Sequence, residues 1–332
     1  MMSQLGAEII PLLIKNGCSD VTDRLDLSQC SARPVAGGGF GDIYQGVLVG
    51  GEKVAIKCPR LFLNEDEPGK KVLKNIAREI YAWSKLRHPN VLELIGLSTF
   101  RGQISIVSSW MENGTLPGYI SKYPDVDRFE LCAQLSAGLA YLHKSETIHG
   151  DVKGANVLLS EFGVAKLADF GNTVIKRHTL EFTSSTGGAR ISIRWTAPEL
   201  LRDEERYTKE ADIYALGMTF LETILGKIPF PGKSEQAVLA SVMLGRTPGR
   251  PSELDAMEKN KADALWRTMS RCWSHTVANR PTAAEVEQNL ERATRQPCVP
   301  ESIASTAASI AAPWWLSGIF KLFTPLKGGH AA

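Results

Sequence analysis

The sequence predicts an α+β chain of two lobes, a small β-rich lobe with one main helix followed by a large, mainly helical lobe. Three observations carry this expectation. Apolar runs of strand length, broken by glycine-rich turns, fill the region from Cys30 to about Lys57. Leu131, Leu135, Leu139 and Leu142 recur at helical spacing beyond Gly114 and mark one long buried stripe. The 332 residues are 43% hydrophobic and 22% charged, which is a globular balance with enough apolar surface for one large core or two moderate ones in contact.

The elements follow in order. Residues 1–28 read as a short amphipathic leader with no assigned role. CSARPVA and DIYQGVLV flank a glycine-rich turn, and Gly50-Gly51 supplies a hairpin signal before the apolar strand Val54-Ala55-Ile56-Lys57. Leu73, Ile76, Ile80 and Trp83 then share one helical face. VLELIGL and ISIVSSW read as further strands leading to a turn at Gly114. The domain therefore divides into a small lobe over 29–108, a hinge over 109–114 and a large lobe over 115–295. Beyond Gln296 the composition shifts to Ala, Ser and Pro and the globular part ends.

Composition excludes several classes. A net charge of +2 is too near neutral for a nucleic-acid partner. The six cysteines are scattered, with no C-x-x-C pair and no metal-ligand spacing, so reduced thiols in a cytosolic or nuclear compartment are expected. The N-terminal segment lacks the apolar core and cleavage site of a secretory signal, and Met1-Met2 lacks the glycine that N-myristoylation needs.

Two segments carry chemistry. In Ala36-Gly37-Gly38-Gly39-Phe40-Gly41, a hairpin with several glycines brings backbone N–H groups close to phosphate oxygens without a Cβ in the way, although such clusters also occur as plain turns. Lys57 ends an apolar strand and needs a partner, and Glu79 lies in register with the face of Ile76, Ile80 and Trp83. A Lys57–Glu79 pair would aim the ammonium at two phosphates. The second segment, His149 to Leu158, contains H-x-D-x-x-x-x-N directly after the leucine-striped helix. Its Asp151 carboxylate can orient a hydroxyl and take its proton, Lys153 can neutralise a transferring phosphoryl group, and the amide oxygen of Asn156 suits a hard cation. Asp169-Phe170-Gly171 adds a second carboxylate for Mg²⁺ on a short turn.

These segments, followed by Ala197-Pro198-Glu199, Asp212 to Gly217, Cys272-Trp273 and Arg280-Pro281, resemble the protein kinase family in order and spacing over about residues 30 to 293. The resemblance implies the bilobal protein kinase fold, ATP and Mg²⁺ as small-molecule partners, and protein substrates. It makes Asp151 the base, Lys153 the phosphate-facing lysine, Asn156 and Asp169 the metal ligands, and Lys57 and Glu79 the ion pair of strand and helix. It sets Ala36, Gly38 and Gly41 around the phosphates, with Ile43, Ala55 and Leu158 against the nucleotide. It gives the backbone of Ser109 and Met111 to adenine, with Ser108 guarding the back of that pocket. Glu199 would pair with Arg280, and Asp212 would hold the catalytic-loop backbone. IVSSWMENGTL and RWTAPE look most like the tyrosine-kinase-like group, in a form abundant in fungi.

Departures from the family pattern refine the reading. Ala36 replaces the first glycine of G-x-G-x-x-G, with little expected loss. Gly150 replaces the usual arginine, so phosphorylation of Thr183 to Thr186 is expected to couple only weakly to activity, with Arg190 and Arg194 on a solvated loop. Lys153-Gly154-Ala155 stands where tyrosine kinases usually carry A-A-R, and Ser192 stands where they carry proline. Ser192 could bridge Asp151 and Lys153, which favours serine or threonine acceptors over tyrosine. The alternative to an enzyme is a pseudokinase scaffold, which usually lacks the lysine, the base or the metal aspartate that this chain retains.

Residues 302–320 form an uncharged stretch rich in Ser and Ala. Its length allows a membrane anchor, but its composition argues against one. A solvated or docked tail, or a short interfacial helix using Trp314, Trp315, Ile319, Phe320 and Phe323, are the alternatives. Deleting residues 297–332 is expected to leave phosphoryl transfer unchanged. On the interfacial reading, liposome binding disappears both in that truncation and in Trp314→Ala/Trp315→Ala. Failure of the truncated chain to fold would instead mean that the tail packs on the domain.

Overall fold

The computed structural model describes residues 11–38, 41–59, 80–169, 192–202 and 207–295, apart from 12 and 16. The body that spans Met1–Arg295 has the two-lobed architecture the sequence predicts. Five antiparallel strands make the small lobe: β1 (Ala36–Gly38), β2 (Gly41–Val47), β3 (Lys53–Pro59), β4 (Leu94–Phe100) and β5 (Gln103–Ser109), in spatial order β1-β2-β3-β5-β4. Residues 80–84 are helical, with Ile80 and Trp83 buried, while Leu73, Ile76 and Glu79 lie outside the described residues.

Strand alternation sorts the sheet's side chains onto two faces. Val54, Ile56 and Cys58 of β3 join Phe100 and Val107 in a core on one face. Ala55 and Lys57 therefore point to the other. Directly opposed residues share a face, so the pairs Ile43↔Lys57, Gln45↔Ala55, Ala55↔Ser108 and Lys57↔Ile106 gather Ile43, Ala55, Lys57 and Ser108 on one surface.

The leader, which had no assigned role, is fastened to this sheet. β4 is an edge strand, and an open edge exposes unpaired backbone groups. Here Leu97 N–H donates to Ser19 O at 2.9 Å and Val21 N–H donates to Leu97 O at 2.8 Å. Farther along, Asp26 N–H donates to Val47 O at 2.9 Å and Val49 N–H donates to Arg24 O at 2.7 Å, which ties the strap to the end of β2. Val21 and Leu25 cap the Val54–Ile56 face of the sheet. Burial of each such side chain is worth roughly 1.5–3 kcal/mol.

The run VLELIGL is not one strand. β4 starts at Leu94, whereas Leu92 N–H donates to Leu167 O and Leu167 N–H donates to Asn90 O, at 2.8 and 2.9 Å. Residues 90–92 thus pair with the large lobe, because the backbone partners nearest them belong to the hairpin there.

The large lobe begins with α1 (Leu116–Lys122) and α2 (Arg128–Lys144), the latter capped by Asp127, whose carboxylate accepts Glu130 N–H at 3.0 Å. All four leucines of its stripe are buried. A short hairpin follows, β6 (Val157–Leu159) with β7 (Ala165–Leu167), then α3 (Pro198–Leu201) and α4 (Lys209–Leu225). α4 is buried from Ala211 to Ile224, as a helix at the centre of a lobe must be. It starts at the Thr208 cap and stops at Gly226, which takes the left-handed conformation at φ +63°. A Cβ at Gly217 would lie 2.7 Å from both Cys272 Cβ and Trp273 Nε1, so glycine permits that close approach to α6 (Lys259–Cys272). α5 (Glu235–Met243) and α7 (Ala283–Arg295) complete the lobe, and α7 opens with a reciprocal Thr282–Glu285 capping box. The five described cysteines are unpaired thiols, and burial pushes Cys58 up to about 11 and Cys272 up to about 12. No helix among the described residues is long and apolar enough to cross a membrane. Residues 296–332 lie outside the described residues.

The strap sets a sharp steric condition. A Cβ at Gly96 would sit 2.5 Å from Ser19 O and 3.0 Å from Val21 Cγ1, whereas one at Gly50 would meet nothing within 4 Å. Gly96→Val is therefore expected to cost about 1–3 kcal/mol through overpacking. In a domain of this size that lowers Tm by several degrees, about 2–4 °C per kcal/mol. Gly50→Ala should leave Tm within about 1 °C, because surface changes away from special features are nearly neutral. Equal melting temperatures for both variants would mean that the strap does not hold the sheet.

Candidate active site

The loop between α2 and β6 carries the H-x-D segment, and a buried carboxylate shapes it. Asp212, in the first turn of α4 and 2% exposed, accepts His149 N–H and Gly150 N–H, each at 2.8 Å. His143 Nε2 of α2 lies 2.9 Å from the same carboxylate. Gly150 has φ +74°, a region glycine enters freely, and this turns two successive N–H groups toward one acceptor. Asp151 follows. Lys153 Nζ donates to Asp151 Oδ2 at 2.9 Å and to Ser192 Oγ at 2.8 Å. Asn156 Nδ2 donates to Asp151 O and Oδ2, both at 2.8 Å. Asp151, Lys153, Asn156 and Ser192 thus form one connected cluster.

The β6–β7 hairpin brings the other carboxylate to it. Val157 pairs with Leu167, Ala168 N–H donates to Asn156 O at 2.9 Å, and Asp169 follows with φ +60°. Asp169 forms an ion pair with Lys57, so β3 of the small lobe and the end of the hairpin meet there. Glu79, the expected partner of Lys57, lies outside the described residues. Ala36 pairs with Ile43, and Gly38 with Gly41 at the closing end of the β1–β2 hairpin. Ile43, Ala55 and buried Ser108 share the sheet face of Lys57. The hinge turns at Met111, whose carbonyl accepts Gly114 N–H at 3.1 Å. Leu159 N–H donates to Gly114 O, and Leu158 bridges to Thr115, so Leu158 lies beside the hinge that begins at Ser109.

One expectation is overturned. Arg194 is not on a solvated loop: it is 6% exposed and fully engaged. It donates to the carbonyls of Pro229, Phe230 and Lys233 at 2.7, 3.0 and 2.6 Å and pairs with Glu235 at 2.9 Å. The carbonyls of the α4–α5 connection need donors, and a guanidinium fork supplies several at once. Arg194 is therefore an anchor of the segment carrying Ser192 and not a spare phosphate partner. Arg190 and residues 183–186 lie outside the described residues. The expected Glu199–Arg280 pair is present as a bidentate contact at 2.6 and 2.8 Å, with Arg280 also donating to Glu210 O and Ser274 O. Burial pushes the Glu199 carboxyl up, but the Arg280 hydrogen bonds, a backbone hydrogen bond and the nearby positive charge of Arg280 and His275 together outweigh it and hold the group below its ordinary value.

A further residue escaped the sequence reading. Glu222 of α4, 5% exposed, accepts Gly154 N–H at 2.8 Å and the Trp195 indole N–H at 2.9 Å, both on Oε2. The available signal was a lone carboxylate inside the apolar run of α4, which burial makes costly without partners. The serine/threonine-protein kinase STY46 of Arabidopsis thaliana is 31% identical over 267 residues, 79% of this chain and 44% of that protein. The tyrosine-protein kinase Fer of Homo sapiens is 30% identical over 76% of this chain and 30% of its own length. The serine/threonine/tyrosine-protein kinase HT1 of Arabidopsis thaliana is 28% identical over 85% and 70%. The chain spans about half the length of the plant serine/threonine relatives it matches. The family model described as protein tyrosine and serine/threonine kinase matches residues 31–290, over the sheet, the hinge and the loop just described, and the chain belongs to that family.

Proposed function

We propose that this chain is an ATP-dependent protein kinase that transfers the γ-phosphoryl group to serine and threonine hydroxyls of protein substrates. The observation that carries the acceptor assignment is Lys153 Nζ, which holds Asp151 and Ser192 together at 2.9 and 2.8 Å. On this reading the hydroxyl at Ser192, where tyrosine kinases usually carry proline, joins the segment to the lysine beside the base. The name of STY46 supports it, while those of Fer and HT1 attach similar sequences to tyrosine as well. The IVSSWMENGTL and RWTAPE segments support assignment, on this reading, to the tyrosine-kinase-like group.

In this mechanism the acceptor oxygen attacks the γ-phosphorus of ATP as Asp151 takes its proton. The O–P bond forms while the bond from the γ-phosphorus to the β,γ-bridging oxygen breaks, and ADP leaves. Lys153 stabilises the charge on the transferring group. The backbone at Ala36, Gly38 and Gly41 would surround the phosphates, Lys57 would hold two of them, and Ile43, Ala55 and Leu158 would pack on the nucleotide. Backbone groups of Ser109 and Met111 meet the adenine edge. The donor set also fits Mg²⁺. Asn156 commits its N–H groups to Asp151, which leaves its carbonyl oxygen for a hard cation, and Asp169 supplies a carboxylate nearby. When bound, the ion neutralises phosphate charge.

The test uses the purified chain, γ-labelled ATP and peptide libraries with Ser, Thr or Tyr as the fixed acceptor. Label is expected on Ser and Thr. Asp151→Asn should lower kcat by about 10²–10⁴ while ATP affinity is retained, because proton handling and orientation are lost. Ser192→Ala should lower kcat/KM for Ser peptides by about tenfold, the worth of one hydrogen bond to a charged group. Labelling confined to Tyr would overturn the acceptor assignment. Tight ATP binding with no transfer to any library would favour a nucleotide-binding scaffold instead.

A further inference from the structure

A cavity of about 660 Å³ opens where the end of α2, the start of α4 and the start of α7 converge, and none of its lining residues belongs to the proposed nucleotide site. That volume suits a small organic molecule. Ala137 and Ala140 of α2, Ile213 of α4, and Pro281, Ala283 and Ala284 form apolar walls whose side chains are mostly too small to fill the space. Two charged groups of the lining form no ion pair among the described residues: Lys144, exposed in the last turn of α2, and Glu287, half-buried on α7. Burial, reinforced by the charge of Glu291, pushes the Glu287 carboxyl up, as expected of an anion with no cation beside it. Arg280 cannot serve, because its guanidinium is committed to Glu199 and to the carbonyls of Glu210 and Ser274. The two groups stand apart. Lys209 pairs with Glu146 at 2.8 Å, which sets the Lys144 end of α2 beside the first turn of α4. Arg280 N–H donates to Glu210 O at 2.9 Å, so α7 also starts at that end, and Glu287 lies about 6 Å farther along it than Ala283. His143 lines the wall as well, with its side chain 9% exposed. Its Nε2 faces the Asp212 carboxylate at 2.9 Å and carries the proton, which leaves Nδ1 as an acceptor.

We propose that this cavity binds a small zwitterion, a flat apolar body with a carboxylate at one end for Lys144 and an amino group at the other for Glu287. Opposite charges at two separated points fix the orientation of such a molecule, and the alanine-rich walls admit a ring between them. The occupant would rest against the wall that carries His143. That imidazole in turn holds the Asp212 carboxylate, which accepts His149 N–H and Gly150 N–H. Occupancy is therefore felt at the loop of Asp151 through one imidazole and one carboxylate. The ligand is an effector of that loop and takes no part in phosphoryl transfer.

The probe is para-aminomethylbenzoate, titrated into the full chain by calorimetry, with para-methylbenzoate and benzylamine as molecules that each lack one charged end. The zwitterion is expected to bind in the millimolar range or tighter, about fivefold or more above either half. Lys144→Gln should weaken it about fivefold and leave benzylamine unaffected, whereas Glu287→Gln should weaken it equally and leave para-methylbenzoate unaffected. Ala284 is exposed, so Ala284→Leu should fold normally, fill the cavity and abolish binding while Tm and the ATP dissociation constant stay unchanged. With the probe bound, amide exchange at His149 and Gly150 should slow about threefold. None of these readouts needs phosphoryl transfer, so they stand or fall apart from the kinase reading. Absence of saturable binding up to about 10 mM would overturn the site, and so would binding that survives Ala284→Leu. Unchanged exchange at His149 and Gly150 in the saturated chain would overturn the effector role.

Discussion

The contact on which the rest of the candidate site depends is the Asp212 carboxylate beneath the loop that carries Asp151. Loops normally run over the surface and move, yet this one is held from below. Asp212 solves the problem by accepting two successive backbone N–H groups, His149 and Gly150, while His143 of α2 closes the third side. Its place in the first turn of α4 makes a buried negative charge tolerable, because the N-terminal end of the helix dipole favours it. Removing that carboxylate would strand the buried His149 N–H, costing about 1–3 kcal/mol, and leave the part-buried Gly150 N–H without its acceptor. The loop is thus anchored to the most buried helix of the domain.

The small lobe meets this anchored loop through a different constraint, the strict alternation of β3. Because Val54, Ile56 and Cys58 belong to the covered face, Ala55 and Lys57 have to face the other way. Lys57 then reaches Asp169, which the β6–β7 hairpin has already placed beside Asn156. The same hairpin is sewn to residues 90–92 by the Leu92 and Leu167 hydrogen bonds. Asp169 therefore sits at a junction held from both lobes, and its left-handed backbone at φ +60° shows that this junction dictates its conformation. A one-residue slip of β3 would reverse every side chain and break the Lys57 contact.

Much of this was legible in the sequence, and the reason is locality. Asp151, Lys153 and Asn156 fall within six residues, so spacing alone brings them together, and the leucine stripe before them names the helix that delivers the loop. Alternation in Val54 to Lys57 set the face of the lysine. What escaped depends on partners far along the chain. Arg194 reads as an ordinary basic residue until the carbonyls of Pro229, Phe230 and Lys233 are seen around it. The leader reads as amphipathic, but nothing local says that its Ser19 carbonyl takes the Leu97 N–H on an edge strand. The split of VLELIGL between two lobes was hidden for the same reason, since backbone pairing has no signature in an apolar run.

Gly154 shows how such distant partners enter even a short motif. Read alone, Lys153-Gly154-Ala155 is a comment on acceptor class, to be set against the A-A-R that tyrosine kinases usually carry. In the fold, the middle position faces Glu222, and a Cβ there would come within 2.7 Å of the carboxylate. An alanine at that position would require the Glu222 carboxylate, the end of a flexible side chain, to shift. The same carboxylate oxygen accepts the Trp195 indole N–H at 2.9 Å, so a shift at Gly154 is felt in the stretch that begins at Ser192. The acceptor motif is for this reason not a cassette of three residues exchangeable by themselves. Its middle residue is coupled through one buried carboxylate to a helix 68 residues away and to the segment that carries Ser192 and Trp195.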